Sequence, residues 1–330
     1  MNRPCQNCGC AKLEFLFDAP AFDNASSDSP SRYDLARCQQ CNIISTLGVT
    51  PDILSDAYST DYYGSSTDKF IWIIEKILSY STIARARRFV NFWRAGRNDN
   101  TAPYVVDIGC GRGQLLRAFQ TLDAKVLGFE RQEYPIDESL NGRIRAGSIT
   151  EPQYADIKFD IVVLWHVLEH IQQSGEYLDA VVSHLNPGGL VVIAVPNFAS
   201  LQRKLFKQHW FHLDLPRHLV HFEDKWLHKR MEDTGLSVVM ENHNDLVQNG
   251  YGFIQSLLNA INPARPNQFY RLLKHGGRIQ RVFGLSFMIN CLLSVLFLPL
   301  AIIESAISAV FRKGATIQMV FKLEAPNDQQ

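Results

Sequence analysis

Residues 107 to 113 combine one carboxylate with three glycines at alternate positions. The segment reads DIGCGRG, so Gly109, Gly111 and Gly113 follow Asp107 by two, four and six positions. Glycines permit backbone conformations that other residues avoid and let a ligand approach the chain closely. The G-x-G-x-G order departs from the G-x-G-x-x-G order of dinucleotide sites. Because a carboxylate beside the loop would repel phosphate, the segment favours a ligand with an ammonium group and no phosphate.

A second acid, Glu130, ends the next apolar run, KVLGFE. An acid at the tip of the second strand of such a fold can accept hydrogen bonds from both hydroxyls of a ribose. The glycines themselves lie between a β-branched run, Tyr104–Ile108, and apolar residues at helical spacing. This order predicts a strand, a tight turn and a helix. A glycine-rich turn in some other α/β fold stays open as the alternative.

Four cysteines form two CxxC pairs, Cys5 with Cys8 and Cys38 with Cys41. Each pair can present two thiolates from one turn, and four thiolates can surround Zn²⁺ tetrahedrally. We expect a structural zinc knuckle, since nothing nearby offers an open coordination position or a base. Cys10 is a possible surplus ligand. A redox role is the alternative, and it is disfavoured because no βαβ unit surrounds either pair.

The segment HVLEH places His166, Glu169 and His170 at i, i+3 and i+4, which predicts one shared helix face pointing into a cleft. A histidine there could take a proton from an attacking hydroxyl, with Glu169 tuning its basicity. The same trio could hold a divalent metal that acidifies a hydroxyl. The third interpretation is a hydrated helix start without a chemical role.

From residue 104 to residue 245, apolar runs alternate with helical patterns, which predicts a parallel sheet with crossover helices. In such a sheet, ligands bind beyond the carboxyl ends of the strands. We therefore expect one crevice to gather the residues at the predicted strand ends, namely Gly109, Glu130, Ser148, Trp165 and Asn197.

Composition limits the partners of the chain. Lys plus Arg and Asp plus Glu both number 33, which argues against a nucleic-acid partner. Residues 1–20 lack the apolar core of a secretory signal, so we expect a cytoplasmic location.

In residues 51–103, an aromatic cluster (Tyr58, Tyr62 and Tyr63, with Asp61) and a helical region predict a cap over the ligand or simple packing against the main domain.

Val282–Ile303 contains no charged residue over 22 positions and has basic flanks, which suits membrane contact. The following segment, TIQMVFKL, is predicted to be a strand of the main sheet. A single crossing would place that strand on the wrong side of the membrane. We therefore expect a hairpin bent near Pro299 or helices lying in the interface. A buried helical pair or a dimer contact is the soluble alternative.

Several segments together resemble the class I S-adenosylmethionine (SAM)-dependent methyltransferases, which include ubiquinone-pathway O-methyltransferases and bacterial sugar and natural-product methyltransferases. The paired CxxC and the YSTDYYG stretch resemble an amino-terminal extension seen in one bacterial branch. The main matches are DIGCGRG (107–113), GFE (128–130), FDIVVLWHVLEH (159–170), LNPGGLVVIAVPN (185–197) and PRHLVHF (216–222).

The resemblance implies roles for individual residues. Asp107 and the glycine turn would hold the methionine part of SAM, Glu130 the ribose, and His170 would be the favoured base. The loop with Ser148 and Ile149 would touch adenine, although the family usually has an acid where Ser148 stands.

The resemblance also implies an α/β fold with a Rossmann-like seven-stranded sheet, a small zinc knuckle and an apolar helical insertion before the last strand. We predict a zinc knuckle in 1–50, a cap and linker in 51–103, a SAM-binding core in 104–250 plus 315–324, and the insertion in 251–314. The expected activity is O-methylation of a sugar or lipid-linked glycan at the cytoplasmic face of a membrane. A quinone precursor or another small molecule is an alternative acceptor, and an inactive membrane-attached binding protein is an alternative of another class.

Overall fold

The computed structural model describes residues 4–21, 31–58, 72–95, 97, 101–131, 138–274 and 284–324. The predicted contributions of Asp61, Tyr62 and Tyr63 to a cap lie outside these residues. Contacts divide the chain into two compact units. The accessory unit comprises Met1–Glu75, Pro196–Asp224 and Asn242–Ile317, and the core unit comprises Lys76–Val195, Lys225–Glu241 and Gln318–Gln330. The four-part division made from the sequence stays a prediction.

Among the described residues, strands and helices alternate through the middle of the chain, as the apolar runs predict. The strands are β1 (Leu13–Pro20), β2 (Arg32–Cys38), β3 (Ile44–Thr46), β4 (Tyr104–Ile108), β5 (Lys125–Glu130), β6 (Ile144–Ala146), β7 (Phe159–Trp165), β8 (Leu185–Pro196), β9 (Val220–His221), β10 (Leu236–Asn242) and β11 (Thr316–Leu323). The helices are α1 (Pro51–Ala57), α2 (Trp72–Arg94), α3 (Gln114–Gln120), α4 (Ser174–Ser183), α5 (Leu201–Phe206), α6 (Asp224–Asp233), α7 (Leu246–Ile261), α8 (Gln268–Lys274) and α9 (Leu285–Val310).

A seven-stranded sheet in the order β10-β11-β8-β7-β4-β5-β6 confirms the predicted Rossmann-like fold. The four pairs β4–β5, β4–β7, β5–β6 and β7–β8 are parallel. β-branched and leucine side chains in β4, β7 and β8 are fully buried, because a parallel sheet covered on both faces favours continuous apolar runs. The order also confirms that TIQMVFKL is a strand next to β10.

The segment Pro187-Gly188-Gly189 differs from the predicted turn that would precede the fifth strand. It lies inside β8, where the pairing with β7 moves from Phe159↔Leu185 to Ile161↔Leu190. The extra residues are absorbed as a bulge, which proline and glycine tolerate in a strand.

The accessory unit contains a second sheet that the sequence patterns did not predict. Its four strands lie in the order β1-β2-β3-β9, and the described pairs are antiparallel. The first cysteine turn precedes β1 and the second follows β2, and Leu13 pairs with Cys38. The cysteine turns are therefore attached to a sheet with its own apolar core, which includes Leu35, Phe198 and Trp210.

Helix α9 lies in the accessory unit and is continuous, so the predicted hairpin bent near Pro299 is wrong. Pro299 lies inside the helix. A proline removes one backbone hydrogen bond, but neighbouring turns can keep the helix intact. The helix is long and apolar enough to cross a membrane by length and composition, with a mean hydropathy of 2.3 over an 18-residue window of which 11% is buried.

Candidate functional site

The glycine loop connects β4 to α3 in the core unit. Gly109, Gly111 and Gly113 have φ angles of 67°, 51° and 71°, in the left-handed region that favours glycine. A Cβ built on Gly109 would lie 2.3 Å from Val167 Cγ2, whereas one on Gly111 meets nothing within 4 Å. The loop therefore packs tightly at its first glycine and leaves open space at the second, where a ligand can reach the backbone.

The two predicted acids lie beside this loop. Asp107 and Glu130 are both buried, and the Gly111 N–H donates to Glu130 Oε2 at 2.8 Å. Burial and then the neighbouring charge of Glu130 raise the pKa of Asp107 to about 8, although Arg85 opposes the shift. A pair of close carboxylates with one raised pKa attracts a cation, because a positive group relieves both burial and repulsion.

Arg85 of α2 is a site residue that the sequence patterns did not single out. Its guanidinium carbon lies 3.7 Å from the ring centroid of Trp165, the last residue of β7. Its charge also acts on Asp107. Trp165 is half-buried, and Phe89 packs at 6.1 Å from it between ring centroids. In the sequence, an arginine within a helical pattern looks like an ordinary solvent-exposed residue. Only the fold shows that Arg85 lies near the ends of the strands.

The HVLEH segment does not form the predicted helix face. His166 has a φ of 56°, and only Leu168–His170 form a single 3₁₀ turn. The His166 N–H still donates to the Ala194 carbonyl at 2.9 Å, so the chain follows the sheet past Trp165 and then reverses. The predicted common face of His166, Glu169 and His170 is therefore wrong.

The trio nevertheless contains one close pair. His166 Nδ1 lies 3.3 Å from Glu169 Oε1, and Glu169 is 1% exposed. His170 is half-buried. The reversal also packs Val167 against Gly109, which brings this segment to the glycine loop. A histidine held by a buried carboxylate can accept a proton, so the pair has the groups of a general base.

The loop after β6 contains Ser148 and Ile149. Ile149 is fully buried, and the Ser148 N–H donates to Glu151 Oε1 at 2.8 Å. The Ser148 hydroxyl hydrogen-bonds to Tyr177 and Thr150. Glu151 therefore supplies a carboxylate three residues after the position where the resemblance led us to expect an acid.

Asn197 follows β8 and belongs to the accessory unit. It is fully buried, donates to the Gly314 carbonyl at 3.1 Å and accepts from the Ala199 N–H at 3.0 Å. These bonds occupy its amide within its own unit, so its side chain has a structural role there.

The four CxxC thiols lie together in the accessory unit. Their sulfur atoms are all within 4.8 Å of one another. Cys5 and Cys41 are 3.7 Å apart, and Cys8 and Cys38 are 3.5 Å apart. These separations are too long for disulfides, at about 2.0 Å, and close to the sulfur separation around a tetrahedral zinc with bonds of about 2.3 Å. Although burial opposes it, backbone N–H groups of Cys41 and Gln40 help lower the pKa of Cys38 to about 7, which favours a thiolate.

The middle of the chain matches a known protein family. A family model described as a methyltransferase domain matches residues 81–241. Among curated proteins, the mitochondrial ubiquinone biosynthesis O-methyltransferase of Schizosaccharomyces pombe is 29% identical over 120 residues, covering 33% of this chain and 43% of that protein. The corresponding enzyme of Bradyrhizobium is 32% identical over 101 residues, covering 28% of this chain and 40% of that protein.

Residues 81–241 thus form a methyltransferase domain, as the resemblance to class I SAM-dependent methyltransferases implied. The chain spans about two fifths of the length of the curated relatives it matches, 43% and 40%. A solved SAM-dependent methyltransferase from Archaeoglobus fulgidus is 18% identical, with a TM-score of 0.42 over 74% of this chain and 94% of that one. The structural likeness is too weak to support an inference about function.

The residues around the glycine loop fit SAM. The space beside Gly111 admits a ligand, and the raised pKa of Asp107 makes it a strong acceptor for an ammonium group. Glu130 Oε1 and Oε2 accept backbone N–H groups from Arg131 and Gly111, which hold the carboxylate in place for hydroxyl groups. The two carboxylates and the open glycine backbone therefore suit a cationic nucleoside without phosphate.

Proposed function

We propose that the protein is a SAM-dependent O-methyltransferase whose acceptor is a sugar or a lipid-linked glycan at the cytoplasmic face of a membrane. The observation that supports the transferase activity is the buried Asp107–Glu130 pair beside an open glycine backbone in a family that uses SAM. The membrane location rests on the exposed apolar helix α9.

The donor site would use each of its residues for a different part of SAM. Asp107 and the glycine loop would bind the methionine part, Glu130 the ribose, and Ser148 and Ile149 the adenine. Arg85 would offer its guanidinium to the carboxylate of the methionine part, since it already lies over Trp165 and acts on Asp107. Bound SAM supplies an electrophilic methyl group, and the protein aligns the acceptor with it.

A histidine of the HVLEH segment would remove the proton from the acceptor hydroxyl. His170 is the base that the family resemblance favours. The contact between His166 Nδ1 and Glu169 Oε1 at 3.3 Å supports His166 as a second candidate, with Glu169 orienting its ring. A divalent metal held by His166, Glu169 and His170 is the remaining alternative for activating the hydroxyl.

A quinone precursor is the second candidate acceptor. The two curated relatives described above are named ubiquinone biosynthesis O-methyltransferases. A small apolar phenol would also suit a protein at a membrane face. The catalytic groups would be the same, because both acceptors present a hydroxyl oxygen.

Zn²⁺ would be held by Cys5, Cys8, Cys38 and Cys41. Its role would be structural, because it would join the turn before β1 to the turn after β2. Four thiolates would complete its coordination, so the metal would have no position for a substrate.

The deciding experiment is transfer of labelled methyl groups from SAM by the purified full chain. Lipid-linked glycan extracts and quinone precursors are offered in parallel, and the labelled product is identified by mass spectrometry. Label in the glycan fraction supports the first acceptor, and label in the phenol supports the second. SAM binding without transfer to either would favour the inactive binding protein and contradict the proposal.

The base is identified with matched variants in the same assay. We expect either His170→Ala or His166→Ala to lower the transfer rate about 100-fold or more with SAM affinity unchanged. His184→Ala is the control, since His184 is buried and bonds to the Ile157 carbonyl at 2.8 Å. Full transfer rates in both His170 and His166 variants would remove a histidine base from the mechanism.

A further inference from the structure

Helix α9 has its polar side on the inside and its apolar side on the outside. Its buried residues are Ala301, Glu304, Ser305 and Ser308. Its outer surface presents large apolar side chains that are 47 to 79% exposed, at Leu285, Met288, Ile289, Leu292, Val295, Leu296, Leu298, Leu300, Ile302, Ile303 and Val310. A helix of a water-soluble protein has the opposite arrangement. The outer surface therefore faces something other than water.

The inner side of α9 is fixed to the accessory unit near both ends. Toward its amino end, Phe287 packs against Phe269 with ring centroids 6.1 Å apart. Toward its carboxyl end, Gln202 Nε2 donates to Glu304 Oε2 at 2.7 Å and to the Asn249 carbonyl at 2.8 Å. Cys291 and Leu293 pack between these points against the same apolar core. One side of the helix is thus covered by its own protein along most of its length.

These contacts argue against a transmembrane orientation. If α9 crossed a bilayer, the part of the accessory unit that packs along its inner side would have to enter the hydrocarbon with it. That part exposes polar groups, including Asn262 and Arg265 directly after α7. Moving such groups into lipid is costly. The helix can meet lipid only with its outer surface, while its long direction follows the membrane plane.

Charge distinguishes a lipid surface from a second copy of the chain. The described residues between 246 and 315 include five Lys or Arg and one acid, Glu304, which gives a formal charge of +4. Glu304 is buried, and Lys313 pairs with Asp224 at 3.6 Å. Two copies meeting through this region would bring two positive segments together, whereas an anionic lipid surface would neutralise them.

We propose that α9 lies flat in one leaflet of an anionic membrane, with its outer apolar side chains in the upper acyl region, and does not span the bilayer. This inference deepens the proposed membrane location and rests on that part of the proposed function. It does not depend on which hydroxyl is methylated.

The first test is flotation of the full chain with vesicles of phosphatidylcholine containing about 30% phosphatidylglycerol. Leu296→Glu should lower the ratio of vesicle-bound to free protein about tenfold or more. The reason is that a leucine which would lie among the acyl chains is replaced by a charge. Phe15→Glu is the matched control, since Phe15 is 52% exposed and Leu296 is 63% exposed, but Phe15 lies on β1. Vesicle binding of Leu296→Glu equal to that of the original protein would overturn the proposal.

The same samples are used to check that the variant folds and to test whether a second copy of the chain covers α9. SAM affinity and circular dichroism of Leu296→Glu should match the original protein; if they do not, Ile303→Gln is scored in its place. A dimer that forms without vesicles and is lost in the variant, together with no vesicle binding by the original protein, would show that a second copy covers α9. Vesicle binding without SAM binding would contradict the transferase proposal and leave this one intact.

The second test measures depth. A fluorescent non-natural amino acid replaces Leu285, Leu296 or Val310 in turn, and lipids brominated at defined carbons quench it. The first and last positions are about 37 Å apart along the helix. Similar quenching depth at all three positions, in the upper part of one leaflet, is expected. Leu296 at the bilayer centre with the other two at opposite surfaces would show a spanning helix and overturn the proposal.

Discussion

Two buried carboxylates, Asp107 in the core unit and Glu304 in the accessory unit, have different surroundings. Burial raises the pKa of both. At Asp107 the next contribution is the charge of Glu130, which raises the pKa further. At Glu304 the next contributions are hydrogen bonds from Gln202 and Ser308, which lower it. The first carboxylate is left for a cation to neutralise, whereas the second accepts a hydrogen bond from Gln202 and so helps to hold a helix.

The largest expected effect is on SAM binding. Asp107→Ala should weaken SAM binding about 100-fold or more, because it removes the charge that would neutralise the ammonium group. Isothermal calorimetry of the full chain measures the change. Asp156→Ala, an exposed aspartate in the same unit, is the control and should bind normally. Unchanged affinity in the Asp107 variant would mean that its charge is not used for the ligand.

The corresponding change at the second carboxylate should affect stability instead. Glu304→Leu should lower the free energy of unfolding by about 1–3 kcal/mol, because the buried amide of Gln202 loses an acceptor. Ile303→Ala, one residue away and 55% exposed, should cost less than about 0.5 kcal/mol in vesicle-free buffer. Urea denaturation measures both variants. Equal losses would show that the Gln202 contact does not hold the helix.

The pH dependence of SAM affinity sharpens the contrast. The pKa of Asp107 is raised to about 8 without ligand, so the group is mostly protonated at pH 6. A cation selects the ionised form, and SAM affinity should therefore rise by about 50-fold from pH 6 to pH 8 with release of a proton. Asp107→Asn should bind weakly and without this dependence. Calorimetry in buffers of different ionisation enthalpy counts the proton, and a count of zero would contradict the prediction.

The smallest expected effect is the pH dependence of stability at Glu304. Its pKa is raised, so its contribution to stability is complete below its unfolded-state pKa and is lost as the pH rises through the folded-state pKa. Glu304→Gln should remove this dependence and leave a change smaller than that of Glu304→Leu. Denaturation curves between pH 4 and pH 8 test it. If the contribution of Glu304 to stability rose with pH instead, the raised pKa of Glu304 would be contradicted.

Local patterns predicted the parts of the site that depend on local chemistry. Alternate glycines after a β-branched run predicted the β4 turn, because only glycine adopts those φ angles easily. Two CxxC pairs predicted the thiol cluster, since each turn brings two sulfurs together. Alternating apolar runs predicted a parallel sheet with crossover helices, and the family resemblance implied its seven strands.

Features that depend on tertiary contacts were not predicted. The HVLEH residues have helical spacing, but the hydrogen bond from His166 to Ala194 continues the strand pairing and prevents a helix from starting there. Arg85 became a site residue only because α2 packs along the sheet. Pro299 suggested a bend, yet contacts on both sides of it keep α9 continuous.

The position of β11 between β10 and β8 has a consequence for synthesis of the chain. The residues of this inner strand follow the apolar helix in the sequence, so they leave the ribosome after it. Until then, the place between β8 and β10 in the sheet is empty. The ribosome therefore releases the long apolar helix before the strand that completes the sheet, so α9 is available for contacts before the SAM-binding domain is complete.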